Sequence, residues 1–145
     1  MSEILVNKLT GVGTAGSIVI TGEGNSTTTN LQQGLCKVWV NFEADGSGIP
    51  ARDSFNVSST DDDGTGDYGI NFISPFVNND YAGGMMASMG PFSNNDVGLI
   101  GPSRDNEDAS LATGSIQLDG QKSSHTDGTA RDVGTGMLNL VGDLA

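Results

Sequence analysis

Residues 34–72 read GLCKVWVNFEADGSGIPARDSFNVSSTDDDGTGDYGINF. Apolar and polar side chains alternate in the segments 35–42, 52–59 and 67–74, as they do in half-buried strands. The intervening stretches EADGSGIPA and TDDDGTGD are rich in Gly and Asp, which favour turns. The pattern predicts an antiparallel meander of three strands with one buried and one solvated face, and hence an all-β fold.

The buried face of this meander is predicted to carry every second apolar side chain. These are Val38, Val40 and Phe42 in the first strand, Phe55 and Val57 in the second, and Tyr68, Ile70 and Phe72 in the third. Trp39 falls on the other face. With Tyr68 and Tyr81 it could form a sugar-stacking platform, but we favour packing against a second sheet or a neighbouring subunit.

The segments on either side of 34–72 complete an all-β reading of the chain. Residues 3–9 and 16–21 are β-branched runs joined by a glycine turn, and residues 22–33 are polar and typical of a linker. Further short strands are predicted within 81–90, 95–102, 110–118 and 135–142. We therefore predict an extended β segment over 1–33 and an antiparallel β-sandwich or jelly-roll-like head over 34–145.

The composition excludes several classes of partner. The 145 residues carry a net charge of −12 with only six Lys and Arg, too few for a nucleic-acid footprint or an anionic membrane surface. Cys36 is the single cysteine, so no intrachain disulfide can form. We expect no membrane insertion and no secretory signal, and hence synthesis in the cytoplasm of a host cell.

Candidate sites for chemistry are few. Asp61, Asp62, Asp63 and Asp67 form a weak calcium candidate, although a hairpin turn would also select Asp and Gly here. The G-x-G-x-x-G run at 11–16 is followed by a β-branched segment instead of a helix, so no nucleotide or other cofactor is expected. His125 is the only histidine and lies in a polar stretch, so we expect no catalytic site and no enzyme activity.

Residues 34–72 also resemble tail-fibre and fibre-like virion proteins of marine phages, particularly phages of cyanobacteria and pelagic bacteria. The resemblance rests on the motifs K-x-W-V-x-F, R-x-S-F-N-V-S-S and D-x-G-T-G-D-Y. In this chain the motif residues are Lys37, Trp39, Val40, Phe42, Arg52, Ser54 to Ser59, Asp63 and Gly64 to Tyr68. The opening MSEILVNKLTG and the final Gly142-Asp143-Leu144-Ala145 resemble the ends of such chains.

The resemblance implies a homotrimeric virion surface protein that contacts tail or capsid proteins and a host glycan or protein. The chain is short, which favours a compact knob over a long fibre. We expect Ile4, Val6, Ile18 and Ile20 to mediate trimerisation or docking, and Trp39, Tyr81 and His125 to contribute to recognition. The alternatives, in falling order, are a capsid decoration protein, a calcium-dependent lectin-like module and a polysaccharide-degrading enzyme.

Overall fold

The protein is built almost entirely from antiparallel strands. The computed structural model describes residues 4–11, 13, 18–22, 26–46, 48–88, 97–103, 110–122 and 130–145. Of these residues 55% are in strands and 4% in a helix, which confirms the predicted all-β class. The chain divides into two units, Met1–Leu35 and Cys36–Ala145.

The first unit contains a hairpin followed by one helical turn. Strand β1 (Val19–Thr21) pairs antiparallel with β2 (Thr28–Asn30), and helix α1 (Leu31–Gly34) follows directly. Asn30 ends the strand and caps the helix, because its Oδ1 accepts hydrogen bonds from two backbone N–H groups of the first turn. The local sequence thus fixes the point at which strand changes to helix.

This unit differs from the predicted one in its strand pairing. The described residues 4–9 contain no strand, although 3–9 were predicted to form one. The partner of β1 comes instead from the stretch 22–33 that was predicted to be a linker. The physical reason is that Thr28 and Thr29 are β-branched and favour a strand, despite their polar surroundings.

The second unit consists of two antiparallel sheets. The order across the first, which we call sheet I, is β4 (Ala51–Phe55), β3 (Val38–Glu43), β11 (Thr135–Val141) and β7 (Ala82–Ser88). The order across sheet II is β5 (Val57–Gly64), β6 (Asp67–Phe72), β10 (Ser115–Lys122) and β8 (Gly98–Pro102), with β9 (Leu111–Ala112) also paired to β10. Strands β7, β8 and β11 fall within the segments 81–90, 95–102 and 135–142 predicted to contain them, whereas the predicted strand at 110–118 is divided into β9 and β10, and β10 continues to Lys122.

The two sheets share one hydrophobic core. The rings of Phe42 in sheet I and Tyr68 in sheet II meet edge to face at 5.6 Å between centroids. The buried apolar side chains are Val38, Val40, Phe42, Ala44, Ile49, Tyr68, Ile70, Phe72, Phe76, Tyr81, Ile116, Leu118, Val133, Leu138 and Leu140. The alternation predicted for the first and third strands is therefore confirmed, and the unit is a two-layer β-sandwich.

Asn56 converts the predicted meander into a corner between the sheets. Its φ of 59° is left-handed, a conformation that Asn tolerates better than most residues. Its Nδ2 donates to the backbone oxygens of Lys37 and Ser74, both at 3.1 Å, and its Oδ1 accepts from the Ser74 N–H at 2.7 Å. The predicted strand 52–59 is thereby divided, so that β4 joins sheet I and β5 joins sheet II.

This division corrects the prediction that Phe55 and Val57 share a buried face. Phe55 ends β4 on the outside of sheet I and is 52% exposed, whereas Val57 packs against the core from sheet II. The predicted Asp-rich turn is also shorter than expected, because β5 continues to Gly64 and the turn is confined to Thr65 and Gly66. Gly66 has a φ of 68°, and a Cβ there would lie 2.5 Å from the backbone nitrogen of Arg131.

Candidate functional site

Trp39 lies on the face of sheet I that points away from the core. Its neighbours Val38 and Val40 are buried, and the alternation of β3 turns the indole ring to the opposite side, where it is 36% exposed. The expectation that Trp39 could face the second sheet is therefore wrong. Its two other expected roles, a subunit contact and a sugar platform, both remain compatible with this position.

Three further apolar side chains extend the surface around Trp39. Phe55, 52% exposed, is its direct cross-strand partner on β4. On the other side, Met137 of β11 is aligned with Met86 of β7, and Met86 is 68% exposed. We refer to Trp39, Phe55, Met86 and Met137, with the polar groups between them, as the outer face of sheet I.

Polar groups interrupt this apolar surface at its centre and its rim. Asn41 is aligned with Met137, and its Oδ1 is enclosed without a hydrogen-bond partner among the described residues. At the rim, Arg52 lies 3.7 Å from the Glu43 carboxylate and donates a 2.8 Å hydrogen bond to Thr135 Oγ1. Both partners of the ion pair are half exposed, so the pair contributes little to stability.

Tyr81 does not lie on a recognition surface, which corrects that prediction. Its ring is 8% exposed and stacks on Phe76 with 4.4 Å between centroids. Its hydroxyl donates to the backbone oxygens of Ala112 and Ser115 at 3.1 and 3.0 Å. Burial raises the pKa of Tyr81 to about 12, so the hydroxyl stays protonated at neutral pH.

Tyr68 is likewise part of the core and cannot join Trp39 in a stacking platform. Its hydroxyl donates to the Ala44 oxygen at 3.1 Å and accepts from the Val133 N–H at 3.0 Å. Burial raises its pKa to about 12. The proposed platform of three aromatic residues is thus reduced to Trp39 alone, with Phe55 as the partner that the sequence did not indicate. His125 lies outside the described residues.

The four aspartates of the calcium candidate do not converge. Asp61 and Asp63 lie on the outer face of sheet II, and each has an atom 3.3 Å from the position that a Cβ of Gly69 would occupy. Asp62 instead accepts hydrogen bonds from the backbone N–H groups of Gly48 and Gly64, at 3.1 and 3.3 Å. Within the described part of the chain, no group of three His, Cys, Asp or Glu side chains is arranged to hold a metal ion.

The apolar residues predicted to mediate trimerisation are mostly exposed in the first unit. Ile4 is 85% exposed, Val6 61% and Ile20 51%, whereas Ile18 is partly buried. Exposed side chains of this size favour coverage by another surface. The identity of that surface stays a prediction.

Sequence reasoning missed a cleft between β7 and β8. Its volume is about 370 Å³, and Met85, Ile100 and Leu111 line it together with core residues. Among the described residues, the lining side chains are apolar apart from the hydroxyl of Tyr81, which is already hydrogen-bonded. These described side chains supply no acid–base pair.

No protein-family model, curated protein or solved structure matches this chain. No helix in the described ranges is long and apolar enough to cross a membrane.

Proposed function

We propose that the chain is a structural protein of a phage virion surface, a homotrimeric fibre or knob that contributes to host adsorption. The proposal rests on the positions of the motif residues that give the marine-phage resemblance, which lie in the core and at the corner of the sandwich. Phe42 of the first motif is buried in the core, Asn56 of the second forms the corner, and Tyr68 of the third bridges the sheets. The resemblance therefore concerns residues that build the sandwich.

The first unit supports the oligomeric part of this proposal. Ile4, Val6 and Ile20 expose apolar surface, and burying such surface is worth about 25 cal/mol per Å². With Ile18 they would be covered by the equivalent residues of two other copies, or by a tail or capsid protein. Closed assembly also protects strand edges from unwanted pairing.

A jelly-roll-like head is part of the same proposal. The first and last strands of the sandwich, β3 and β11, are neighbours in sheet I, as the outermost strands of a rolled-up hairpin would be. In the same way β6 pairs with β10 in sheet II. These two pairings support a rolled arrangement of the chain.

Immunogold labelling of intact virions tests the proposal. Antibodies raised against the purified chain, and selected for the exposed loop that contains Val77, Asn78 and Asp80, are applied to particles and viewed by electron microscopy. Serum depleted on the purified chain is the control. Label on the tail or on projecting fibres is the expected result.

The other outcomes separate the alternatives. A regular coat of label over the capsid identifies a decoration protein and removes the role in adsorption. Intact particles without label contradict the proposal that this is a virion protein. If the tail is labelled, adsorption assays with the purified chain as competitor follow, and the chain is expected to slow adsorption.

A further inference from the structure

The outer face of sheet I carries two pairs of apolar side chains, and Asn41 lies between the pairs. The register aligns Phe55 with Trp39 on adjacent strands, and Met137 with Met86 on the next pair. Three of these four side chains are exposed by 36% to 68%. Aromatic residues and Met are enriched at protein interfaces, because they bury large areas and adapt in shape.

The outer face of sheet II has the opposite character. The outward positions of β5, β6 and β10 include four carboxylates, those of Asp61, Asp63, Asp67 and Asp119. Two copies that approached each other through this face would bring like charges together on a chain whose net charge is already −12. Such an approach is unfavourable within the Debye length of about 8 Å at physiological salt.

Charge therefore selects sheet I as the face through which identical copies can meet. Its rim carries both signs, because Arg52 lies beside Glu43 and Asp53. Between two copies, Arg52 of one can pair with a carboxylate of the other while the apolar centre is buried. A symmetric assembly uses the same surface on each copy, which this mixture of signs permits.

We infer that the outer face of sheet I packs against the same face of further copies of this chain. The inference deepens the homo-oligomer of the proposed function, since it assigns a contact to the head in addition to the first unit. Strands spaced about 4.8 Å apart, with six residues of about 3.3 Å each in β3, give the four-stranded face a size of roughly 19 Å by 20 Å. Its area of about 400 Å² is about half of the roughly 800 Å² that each partner buries in a standard interface, so the face alone supports weak association.

Trp39 is the only tryptophan of the chain, so its fluorescence reports on this face alone. The experiment measures sedimentation and tryptophan emission of the full chain between ~1 and ~200 µM, at ~0.02 M and ~0.5 M salt. We expect association that is stronger at high salt, because screening weakens the repulsion between acidic copies. The emission is expected to shift to shorter wavelength as the concentration rises.

Two variants separate this face from other contacts. The double variant Phe55→Ser/Met86→Gln is expected to weaken association at least tenfold, with the emission shift lost. The matched control is Leu99→Ser, because Leu99 is 50% exposed on a strand of sheet II and its loss leaves sheet I intact. Should the double variant fold poorly by circular dichroism, Met86→Gln alone serves, since Met86 is the most exposed of the set.

Three results would overturn the inference. A wild-type chain that stays monomeric at high salt has no self-association for this face to mediate. A double variant that associates as strongly as the wild type assigns the contact elsewhere, and this leaves the virion labelling unaffected. A monomer whose tryptophan emission shifts on titration with neutral oligosaccharides identifies a glycan platform in place of a subunit contact.

Discussion

The two outer faces of the sandwich differ although the two inner faces are alike. Both sheets direct aliphatic and aromatic side chains into the shared core. Outside, sheet I carries Trp39, Phe55 and Met86, whereas sheet II carries Asp61 and Asp63. The core therefore accounts for the fold, while the outward positions decide which side of the molecule is suited to contact and which to solvation.

The largest expected effect comes from comparing the inner and outer faces of sheet I. Phe42 is fully buried and Phe55 is 52% exposed, and the two lie on adjacent strands. Phe42→Ala is expected to lower the free energy of unfolding by about 3–5 kcal/mol, because it leaves a cavity in the core. Phe55→Ala is expected to cost less than about 1 kcal/mol.

Urea unfolding of both variants, at a concentration low enough for monomers, measures this contrast. The control is Leu99→Ala, since Leu99 is 50% exposed on β8 of sheet II. Equal losses for Phe42→Ala and Phe55→Ala would show that the outer face is buried within the monomer. The two faces of sheet I would then contribute equally to the stability of the monomer.

The next effect concerns the corner that joins the two sheets. Asn56→Ala removes three hydrogen bonds and places a Cβ-bearing residue without polar compensation at a φ of 59°. We expect a loss of about 2–4 kcal/mol. Asn56→Gly keeps the backbone conformation accessible and loses only the hydrogen bonds. Its loss of stability should therefore be smaller than that of Asn56→Ala by about 1 kcal/mol. If Asn56→Ala unfolds like the wild type, the corner does not depend on this side chain.

The sequence predicted the inner faces far better than the outer ones. The alternation in 35–42 and 67–74 identified Val38, Phe42, Tyr68 and Ile70 as core residues, because burial imposes a period of two. It could not reveal the corner, since Asn56 sits inside an alternating run and its left-handed conformation depends on carbonyls supplied by other segments. The meander was wrong for that reason.

The candidate site was only partly predictable for a related reason. Trp39 was singled out from its position on β3, but its neighbours come from β4, β7 and β11, two of which lie far away in the sequence. Only the register aligns Met137 with Met86. Tyr81 was misassigned because a tyrosine beside a loop is equally compatible with a buried ring whose hydroxyl meets backbone oxygens.

Alkaline pH provides a test of the core that both sheets share. The pKa values of Tyr68 and Tyr81 are raised to about 12, above the ordinary 10.0, because burial disfavours the charged phenolate. The folded state then holds more protons than the unfolded state between pH 10 and 12, so stability is complete below pH 10 and falls as pH rises through this window. The fall is at most about 1.4 kcal/mol per pH unit for each tyrosine.

Urea unfolding at a series of pH values from about 9 to 12 measures this loss. In Tyr81→Phe the slope above pH 10 should be about half that of the wild type, because one of the two buried phenols is gone. A wild-type stability that stays level across the window would contradict the burial of both rings. The control for a general loosening of the core is Val40→Ala, which keeps both phenols and the Phe76 ring that stacks on Tyr81.

The smallest effect is expected on the acidic outer face of sheet II. Asp63 Oδ2 and Gln117 Oε1 lie 3.3 and 3.2 Å from the position that a Cβ of Gly69 would occupy, so two acceptors crowd over the same glycine. Gln117 Oε1 is enclosed and has no hydrogen-bond partner among the described residues. An amide at position 63 brings an N–H donor to this oxygen and removes one carboxylate from a crowded surface.

Asp63→Asn is therefore expected to raise the free energy of unfolding by about 0.5–1 kcal/mol. Asp53→Asn on sheet I is the matched control and should change it by less than about 0.5 kcal/mol, because Asp53 is exposed and, among the described residues, accepts a local hydrogen bond from the Ser54 N–H. A loss of stability in Asp63→Asn would mean that the Gln117 amide presents its NH₂ group to the Asp63 carboxylate. The carboxylates would then stabilise the outer face of sheet II through hydrogen bonds. The two outer faces would differ because one carries a polar network and the other an apolar surface, and repulsion between carboxylates would not explain the difference.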